Sequence, residues 1–438
     1  MTHIGNLIIL VLMDKLIKNS DNLSTSAGRK TILELIETGL ESIEPQRVLS
    51  HNFSLDGTAL HISNETYDLA HFDRVFLIGF GKGAAGIAKF IEDALDERLT
   101  DGYVIDTVEQ VFAKVHFTMG THPLPSQQNI DFTRNVLEKM DGISERDLVL
   151  VVICGGGSAM FEAPYRLNLE TLDVVFDALI KSGATISEMN VIRKHLSNVK
   201  GGGLAKHLYP ATVASLLFSD VPGSDPAVIA SGPTVMEETT MDDVHGILDK
   251  YHISEKVSLS SDDFADLPKE EKYFEHVKNI LMLSNMTVLD AMSQKATELG
   301  YKATIFSDRV QGNAKELGKQ LLMEAKSGEI LLAGGESTVV VKGHGQGGRN
   351  QTVVLASLPF LKEGDVISSV GTDGVDFYYF AGAIGDTQTA EKAKAQNLHI
   401  QAYLDDDNSY EFFSKVGDGI YTGRLESNVS DVIVILKI

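Results

Sequence analysis

The sequence predicts an α/β protein built on a largely parallel sheet that is covered by helices on both faces, followed by a second alternating series of strands and helices. Three observations lead there. Short apolar runs of strand length alternate with amphipathic stretches of helix length through most of the 438 residues. Two of the runs, Leu148–Ile153 and Val213–Phe218, are apolar almost throughout, as expected of strands buried on both faces rather than of half-exposed antiparallel ones. Glycine-rich turns follow several of the strands, where a parallel sheet must hand the chain to a helix.

Taken in order, Ala27–Ile43 carries helical periodicity, with Thr25 or Ser26 as its N-cap. Val75–Ile78 is a short strand bounded by glycine. Ala84–Leu99 follows as a helix that sets Ile87, Ala88, Ile91 and Leu95 on one face. Tyr103–Ile105 is a strand, Asn129–Met140 a helix, and Leu148–Ile153 and Val213–Phe218 the two buried strands. From about Met236 to Glu275 the chain turns polar, with Asp262, Asp263, Asp266, Lys269, Glu270, Glu271 and Lys272; this reads as a linker or a peripheral helical insertion. The second series opens at Ile280–Leu283. It continues with strands at Ala303–Phe306, Ile330–Ala333, Val339–Val341 and Val366–Val370, and with helices at Val288–Leu299 and Ala314–Ala325. No solenoid period and no low-complexity segment interrupts it.

Composition narrows the function classes. Apolar residues make up 43% of the chain, enough for packed cores, and charged residues 23%. The formal net charge of -23 repels nucleic-acid backbones and anionic membranes, so neither is expected as a general partner. A local cluster of Lys and Arg therefore carries more information here than it would in a basic protein. The single cysteine, Cys154, excludes an intramolecular disulfide and suits a reducing compartment, so a cytoplasmic location is expected. Cys154 itself reads as a small buried residue. No run is long enough to span a bilayer. The apolar stretch Ile4–Met13 has no Lys or Arg before it and no small-residue cleavage site after it, so it reads as a short docking segment or as residues preceding a start at Met13.

Four glycine turns follow predicted strands: Gly79–Gly83, Cys154–Ser158, Gly343–Arg349 and Gly371–Gly374. Glycine lets backbone N–H groups approach phosphate oxygens, and a following helix adds its positive end. Parallel sheets need tight turns anyway, so one such loop says little. Four of them, two holding a cation in Lys82 and Arg349, point to anion binding at the carboxyl ends of strands. The first loop also fits another chemistry. Gly81, Gly83 and Gly86 match G-x-G-x-x-G between a strand and a helix, and Asp106 ends the next strand about twenty residues on, which is the dinucleotide fingerprint with its ribose-binding acid. A nicotinamide-dependent reductase is thus the rival class. Lys82 inside the fingerprint counts against it, because dinucleotide loops work through backbone donors. Lys82 is followed by Gly83 rather than Ser or Thr, so the loop is no Walker A motif, and the protein-kinase signatures are missing.

Two further segments suit charged ligands. Asn190–Lys206 gathers Arg193, Lys194, His195, Lys200 and Lys206 with almost no acid, either as a solvated helix face or as an anion site. Ser219–Pro226 sets Asp220 and Asp225 on a tight turn after a buried strand, where they could hold magnesium, accept a proton from a hydroxyl, or serve ordinary turn chemistry.

The motifs in their order resemble the glycerate 2-kinase family, whose C-terminal part is the MOFRL domain and whose members are sometimes labelled hydroxypyruvate reductases. The resemblance rests on Gly79–Ala88, His122–Pro125, Gly155–Ala159, Asn190–Ala205, Ser219–Thr234, Gly334–Glu336, Gly347–Gln351 and Gly371–Gly374, and covers about residues 27 to 438. It implies a Rossmann-like N-terminal domain over 27–276 after an extension over 1–26, a smaller MOFRL-type α/β domain over 277–438, and an active site in the cleft. It implies ATP-dependent phosphorylation of D-glycerate at its 2-hydroxyl; reduction of hydroxypyruvate with NAD(P)H, or a changed hydroxy-acid substrate, are the alternatives. The sequence departs from the family pattern at Gly203, Thr352, Phe377–Phe380 and Gly423–Ser427, where arginine, glutamate, a small–Thr/Ser–Asp run and a Gly/Thr-rich loop are usual. These departures bear on substrate identity more than on fold.

Phosphoryl transfer asks for positioning and charge neutralisation, and the expected roles follow. The family's key lysine and arginine correspond to Lys82 and Arg349, which would neutralise charge on the transferring phosphoryl group or the substrate carboxylate. Asp220 is the expected base or magnesium anchor, with Asp225 and Asp373 behind it. Gly155, Gly156, Gly157 and Ser158 would cradle nucleotide phosphates, and Gly81, Gly83, Arg193, Lys194, Gly347, Gly348 and Asn350 would bind nucleotide or substrate. The expected cofactors are ATP and Mg2+ or another divalent cation. The expected partners are ATP and a small hydroxy acid, with neither nucleic acid nor membrane; the sequence leaves homo-oligomerisation open.

Overall fold

The computed structural model describes residues 15–438, so the stretch Ile4–Met13 and the question of a start at Met13 lie outside the described residues. A small antiparallel sheet of β1 (Phe53–Asp56), β2 (Ala59–Ile62) and β3 (Glu65–Asp68) precedes the main architecture. Its strands are 4 residues each, the shortest length at which a period-two alternation shows in sequence.

The first large sheet is the expected parallel one. It contains β4 (Arg74–Phe80), β5 (Asp101–Asp106), β6 (Val115–Met119), β7 (Asp147–Cys154), β8 (Thr212–Phe218) and β9 (Val277–Leu283), in the spatial order β6-β5-β4-β7-β8-β9, with every pair parallel. β7 is buried at all eight positions, as its unbroken apolar run requires. The chain runs outward from β4 to β6, returns to β7 and runs outward the other way. The strand order therefore reverses between β4 and β7, and the glycine loops after those two strands leave the sheet side by side at the crevice where doubly wound sheets bind ligands.

The second sheet holds β10 (Lys302–Asn313), β11 (Glu329–Thr338), β12 (Val366–Gly371), β13 (Gly382–Gly385), β14 (Gly419–Ile420) and β15 (Asp431–Leu436), in the order β10-β11-β15-β12-β13-β14. Only β10 and β11 are parallel. The terminal strand β15 inserts between β11 and β12, antiparallel to both, and makes this sheet mixed.

Three local expectations differ from the structure. Val339–Val341 is loop rather than strand, because the pairing of β11 ends at Thr338, opposite Asn313, where the partner chain turns into the helix Ala314–Glu324. The strand around Ile280–Leu283, which opens the second series in sequence, hydrogen-bonds to β8 and forms the edge of the first sheet. The helix Ala27–Ser42, capped by Ser26, packs on the second sheet, with Gly28 against the side chains of Val366 and Leu436 and Gly39 against Val288 and Met292. The chain thus crosses between the two layers twice. The polar stretch after Met236 contains the helix Met241–Lys250, which buries Val244 and Leu248 against Leu172, Val175 and Ile192, a peripheral helical insertion as expected. Among the described residues no helix is long and apolar enough to cross a membrane.

Candidate active site

The switch point brings two glycine loops into contact. Gly81 has φ +108° and lies against the backbone of Cys154, an approach only a residue without a Cβ can make, and the Lys82 N–H donates to the Gly155 carbonyl at 2.8 Å. Around this junction three side chains converge from three strand ends. The Asp220 carboxylate, after β8, occupies the space where a Cβ on Gly155 would stand. Beside the next residue, a Cβ on Gly156 would lie 2.8 Å from Cδ2 of His122, which follows β6, and 3.4 Å from Cε of Lys82.

Their electrostatics are coupled. Burial pushes the Asp220 carboxyl above the usual range; the Lys82 ammonium pulls it down, and Glu336 from the second sheet pushes it up again. Burial, then the Lys82 charge, lowers His122, so its imidazole is neutral near pH 7. Lys82 is exposed and forms no ion pair with a carboxylate among the described residues. The Cys154 thiol is pushed well up, by burial and then by Asp106 and Asp220, which leaves it an inert buried residue, as expected.

The second sheet supplies the opposite wall. Arg349 begins the helix Arg349–Ser357 and clasps Asp431, the first residue of β15, through Nε to Oδ2 at 2.6 Å and Nη2 to Oδ1 at 3.1 Å, while Nη1 donates to Glu336. Burial opposes the Arg349 charge, but Asp431 and Glu336 outweigh it and hold its pKa above the ordinary value. Burial pushes Asp431 up to about 7, with Arg349 pulling the other way. The Ser430 hydroxyl donates to the Asp220 carbonyl at 2.9 Å and ties the two walls together. Acidic and basic groups thus line both walls of the cleft, Lys82 and Asp220 on one and Glu336, Arg349 and Asp431 on the other.

Both loops that carry a cation are filled from inside. The Asp106 carboxylate accepts from the Gly83 and Ala85 N–H groups at 2.9 and 3.0 Å and from Thr107 at 2.6 Å, and Asp106 is 1% exposed. In the dinucleotide fingerprint those amides would face pyrophosphate and that acid a ribose. Here the acid caps the helix instead, so the fingerprint reading of Gly81, Gly83 and Asp106 does not survive. Asp376 repeats the arrangement at the other loop, accepting from the Asn350 and Gln351 N–H groups at 2.9 Å each, with Gly348 packed against its carboxylate. Among the described residues no carboxylate accepts a hydrogen bond from Gly156, Gly157 or Ser158, whose loop lies beside Lys82; the Ser158 hydroxyl lies 3.0 Å from that of Ser231.

Among the remaining expected residues, Gly347, Asn350 and Asp373 lie beside Arg349 or Asp431. Lys194 forms a buried ion pair with Glu237, and Lys200 another with Glu162, so two cations of the patch along 190–206 are neutralised internally. Arg193 stacks over Phe176 at 5.0 Å, and burial lowers its pKa. Asn350 is buried, with its amide 3.3 Å from Asp376. Gly347 lies against the Ser409 hydroxyl. Asp225 and Asp373 accept from the backbone of their own turns, at Ala227 and Val375. Among the described residues no three of His, Cys, Asp and Glu come together as metal ligands.

Four residues of the cleft, His122, Glu336, Ser430 and Asp431, were not singled out as functional from sequence. His122 and Glu336 each follow or end a strand and lie in motifs that carry the family resemblance, which is the signal that could have found them. Ser430 and Asp431 have no such signal, because they reach the cleft only through the insertion of β15 into the middle of its sheet.

Residues 31–264 match a family described as a domain of unknown function, DUF4147, and residues 329–431 match the MOFRL family. The chain is 34% identical over 423 residues to the D-glycerate 2-kinase of Thermotoga maritima, covering 93% of this chain and 97% of that one. It is 32% identical over 431 residues to the glycerate 2-kinase of Pyrococcus horikoshii, covering 93% and 96%. Among solved structures, the glycerate kinase of Thermotoga maritima aligns with a TM-score of 0.83 at 33% identity, over 93% of this chain and 99% of that one.

Proposed function

The chain belongs to the glycerate 2-kinase family with a C-terminal MOFRL domain, and on that premise we propose that its cleft transfers the γ-phosphoryl group of ATP to the 2-hydroxyl of D-glycerate. In that reaction the hydroxyl oxygen bonds to the γ-phosphorus, the bond from that phosphorus to the bridging oxygen breaks, ADP leaves with the electron pair, and the hydroxyl proton passes to a base. The observation that carries the reading is Lys82. Its ammonium is unpaired among the described residues, it stands beside the loop Gly156–Ser158, and its charge is felt by Asp220, whose carboxylate lies against Gly155.

Roles follow from the charges. Lys82 neutralises the oxygens of the transferring group, where charge shifts during transfer. Asp220, raised by burial yet steadied by Lys82, accepts the proton. The open backbone donors of Gly155–Ser158 hold phosphate oxygens, and Arg349, kept charged by Asp431 and Glu336, faces the phosphate or the substrate carboxylate. Gly81 and Gly83 act by shaping the Lys82 loop, and Gly347, Gly348 and Asn350 by shaping the Arg349 loop. Arg193 and Lys194 act at most at a distance, through the fold of the neighbouring helix.

Magnesium typically takes one or two protein carboxylates together with substrate phosphates. Asp220 fits as that carboxylate, with Asp225 and Asp373 behind it, and the ion would shield phosphate charge when it arrives with ATP. A division of the chain after β9 rather than at residue 276, with the cleft between the two units, completes the proposal.

A paired assay tests it: ATP turnover with D-glycerate, and NADH or NADPH oxidation with hydroxypyruvate. Turnover of ATP alone, giving a product that enolase uses without a mutase, supports 2-phosphorylation. Hydride transfer without ATP turnover would refute the reading.

A further inference from the structure

We propose that the cavity beside Arg349 in the second sheet's layer is the nucleoside site, holding the base and ribose of ATP while the phosphates leave past Arg349 toward Lys82. This rests on the kinase reading and goes beyond it, since neither the glycine loops nor the catalytic charges say where the base lies.

The cavity has a volume of about 520 Å³, within the range of small-molecule sites and roomy for a three-carbon acid. Its walls include Val339, Val341 and the ring of Phe377, with Thr338 and Gln346 as polar groups and Arg349 as its one cation among the described residues. Val341 leaves 69% of its surface exposed and so is open to a ligand in the cavity. The Phe377 ring is braced edge-on by Tyr378 at 4.6 Å and by Tyr410 at 5.6 Å, so its orientation is set before a ligand arrives. The side-chain amide of Gln346 makes no hydrogen bond among the described residues and is free to meet the edge of a base.

The glycine loop that closes the cavity is also built in advance. The Asp407 carboxylate accepts from the Lys342 and Gly343 N–H groups at 2.6 and 2.8 Å, Asp406 accepts from His344 at 2.9 Å, and Asn408 accepts from Gln346 at 3.2 Å. The loop is thus pinned to the turn 406–408 rather than left to fold over a ligand.

Charge decides which half of the nucleotide fits. The Asp376 and Asp407 carboxylates line the cavity, with Asp407 paired at 2.6 Å to Lys315, which is not among the lining residues, and the cavity's one cation is already shared between Asp431 and Glu336. A triphosphate inside would meet two acids and no unpaired cation. An uncharged base and ribose meet flat apolar walls, an amide and a hydroxyl. Glycerate offers no apolar face to match Val339, Val341 and Phe377. The unpaired cation, Lys82, and the open glycine loop lie across the cleft, so a nucleotide with its base here would extend its phosphates to them.

The test is calorimetric binding of ADP and of tripolyphosphate to the full-length wild type, Phe377→Ala and Val341→Asp, with steady-state kinetics for ATP and glycerate on each. Base stacking on an aromatic ring predicts that Phe377→Ala weakens ADP binding about tenfold or more. Tripolyphosphate, which has no base, should bind all three proteins alike, and KM for glycerate should not move. Val341→Asp, at an exposed side chain, gives the same readout should Phe377→Ala fold poorly. ADP affinity unchanged in both variants, a rise in KM for glycerate instead, or a wild type that binds no ADP overturns the assignment. A wild type that binds ADP through these residues yet transfers nothing to glycerate leaves the nucleoside site standing and removes the kinase reading.

Discussion

The Asp220 carboxylate stands where a side chain on Gly155 would be, so the open glycine loop and the proposed base are in direct contact. Gly155 does not have a positive φ, so glycine is needed there for space rather than for backbone conformation. Gly155→Ala should therefore fold, displace Asp220 and lower kcat by about 10²-fold or more, the usual cost of losing a positioned base. Asp220→Ala should give a similar loss, and the double variant little more than either. A Gly155→Ala enzyme with wild-type kcat would show that the carboxylate can be elsewhere during transfer.

The second wall makes a prediction about pH. Burial holds the folded-state pKa of Asp431 near 7, while an unfolded aspartate titrates near 3.9. Between those values the native state binds the proton and the unfolded state does not. This group's contribution to stability is therefore present below about pH 4, declines as pH rises, and is gone above about 7. Its slope is at most about 1.4 kcal/mol per pH unit. Asp431→Asn should flatten that part of the stability curve, measured by urea unfolding at a series of pH values. Parallel curves for wild type and variant would mean that Arg349 keeps the carboxylate ionised throughout.

Four strands of the first sheet, β4, β5, β7 and β8, are legible in the sequence as short apolar runs, a local signal; β6 (Val115–Met119) is mostly not buried and shows no such run, and β9 reads as the opening of the second series. The second sheet is less legible. β13 and β14 are 4 and 2 residues long, the place of the apolar run β15 between distant strands is not a local signal, and Val339–Val341 looks like a strand but has no partner to pair with. The candidate site divides the same way. Lys82, Arg349 and the glycine loops show as cations and turns after strands. That Asp106 and Asp376 fill two helix ends, or that Glu237 and Glu162 neutralise Lys194 and Lys200, depends on contacts between residues 20 to 43 positions apart, which composition and spacing do not record.

Arg29 is the most buried cation of the second layer, and its partners come from nearly the whole chain away. It donates through Nε to Asp386 at 2.7 Å and through Nη1 to Asp418 at 2.9 Å, with no side-chain exposure. Arg29→Met would leave buried Asp386 without its cation and Asp418 with Lys392 alone, and should cost about 3–5 kcal/mol. Burial alone would raise the Asp418 carboxyl, but Arg29 and Lys392 hold it below the usual range. That stabilisation is present above the unfolded pKa and lost as pH falls through the folded one. The difference between wild type and variant should therefore be largest near neutral pH and shrink below about pH 4. A deficit independent of pH would assign the loss to packing rather than to charge.

Lys82 separates phosphoryl from hydride transfer most sharply. The amides around it are already taken, Gly83 and Ala85 by Asp106, so any anion near this loop is held by the side chain and by the neighbouring Gly155–Ser158 loop. Charge on the transferring group changes between ground state and transition state, and an ammonium placed there acts mainly on the latter. Lys82→Ala should lower kcat by about 10²-fold or more, with a much smaller change in nucleotide affinity, because the open backbone donors and the second-layer contacts remain. Lys82→Arg should recover part of the loss, since charge is kept while reach and geometry change. Removing Lys82 also relieves Asp220 of the cation that lowers it, so the acidic limb of the kcat/KM profile should move to higher pH in Lys82→Ala. The measurements are steady-state kinetics with ATP and glycerate across pH, beside circular dichroism to confirm folding. A folded Lys82→Ala enzyme with near wild-type kcat and an unmoved acidic limb would take Lys82 out of the reaction and leave the cleft without an unpaired cation to meet the phosphate.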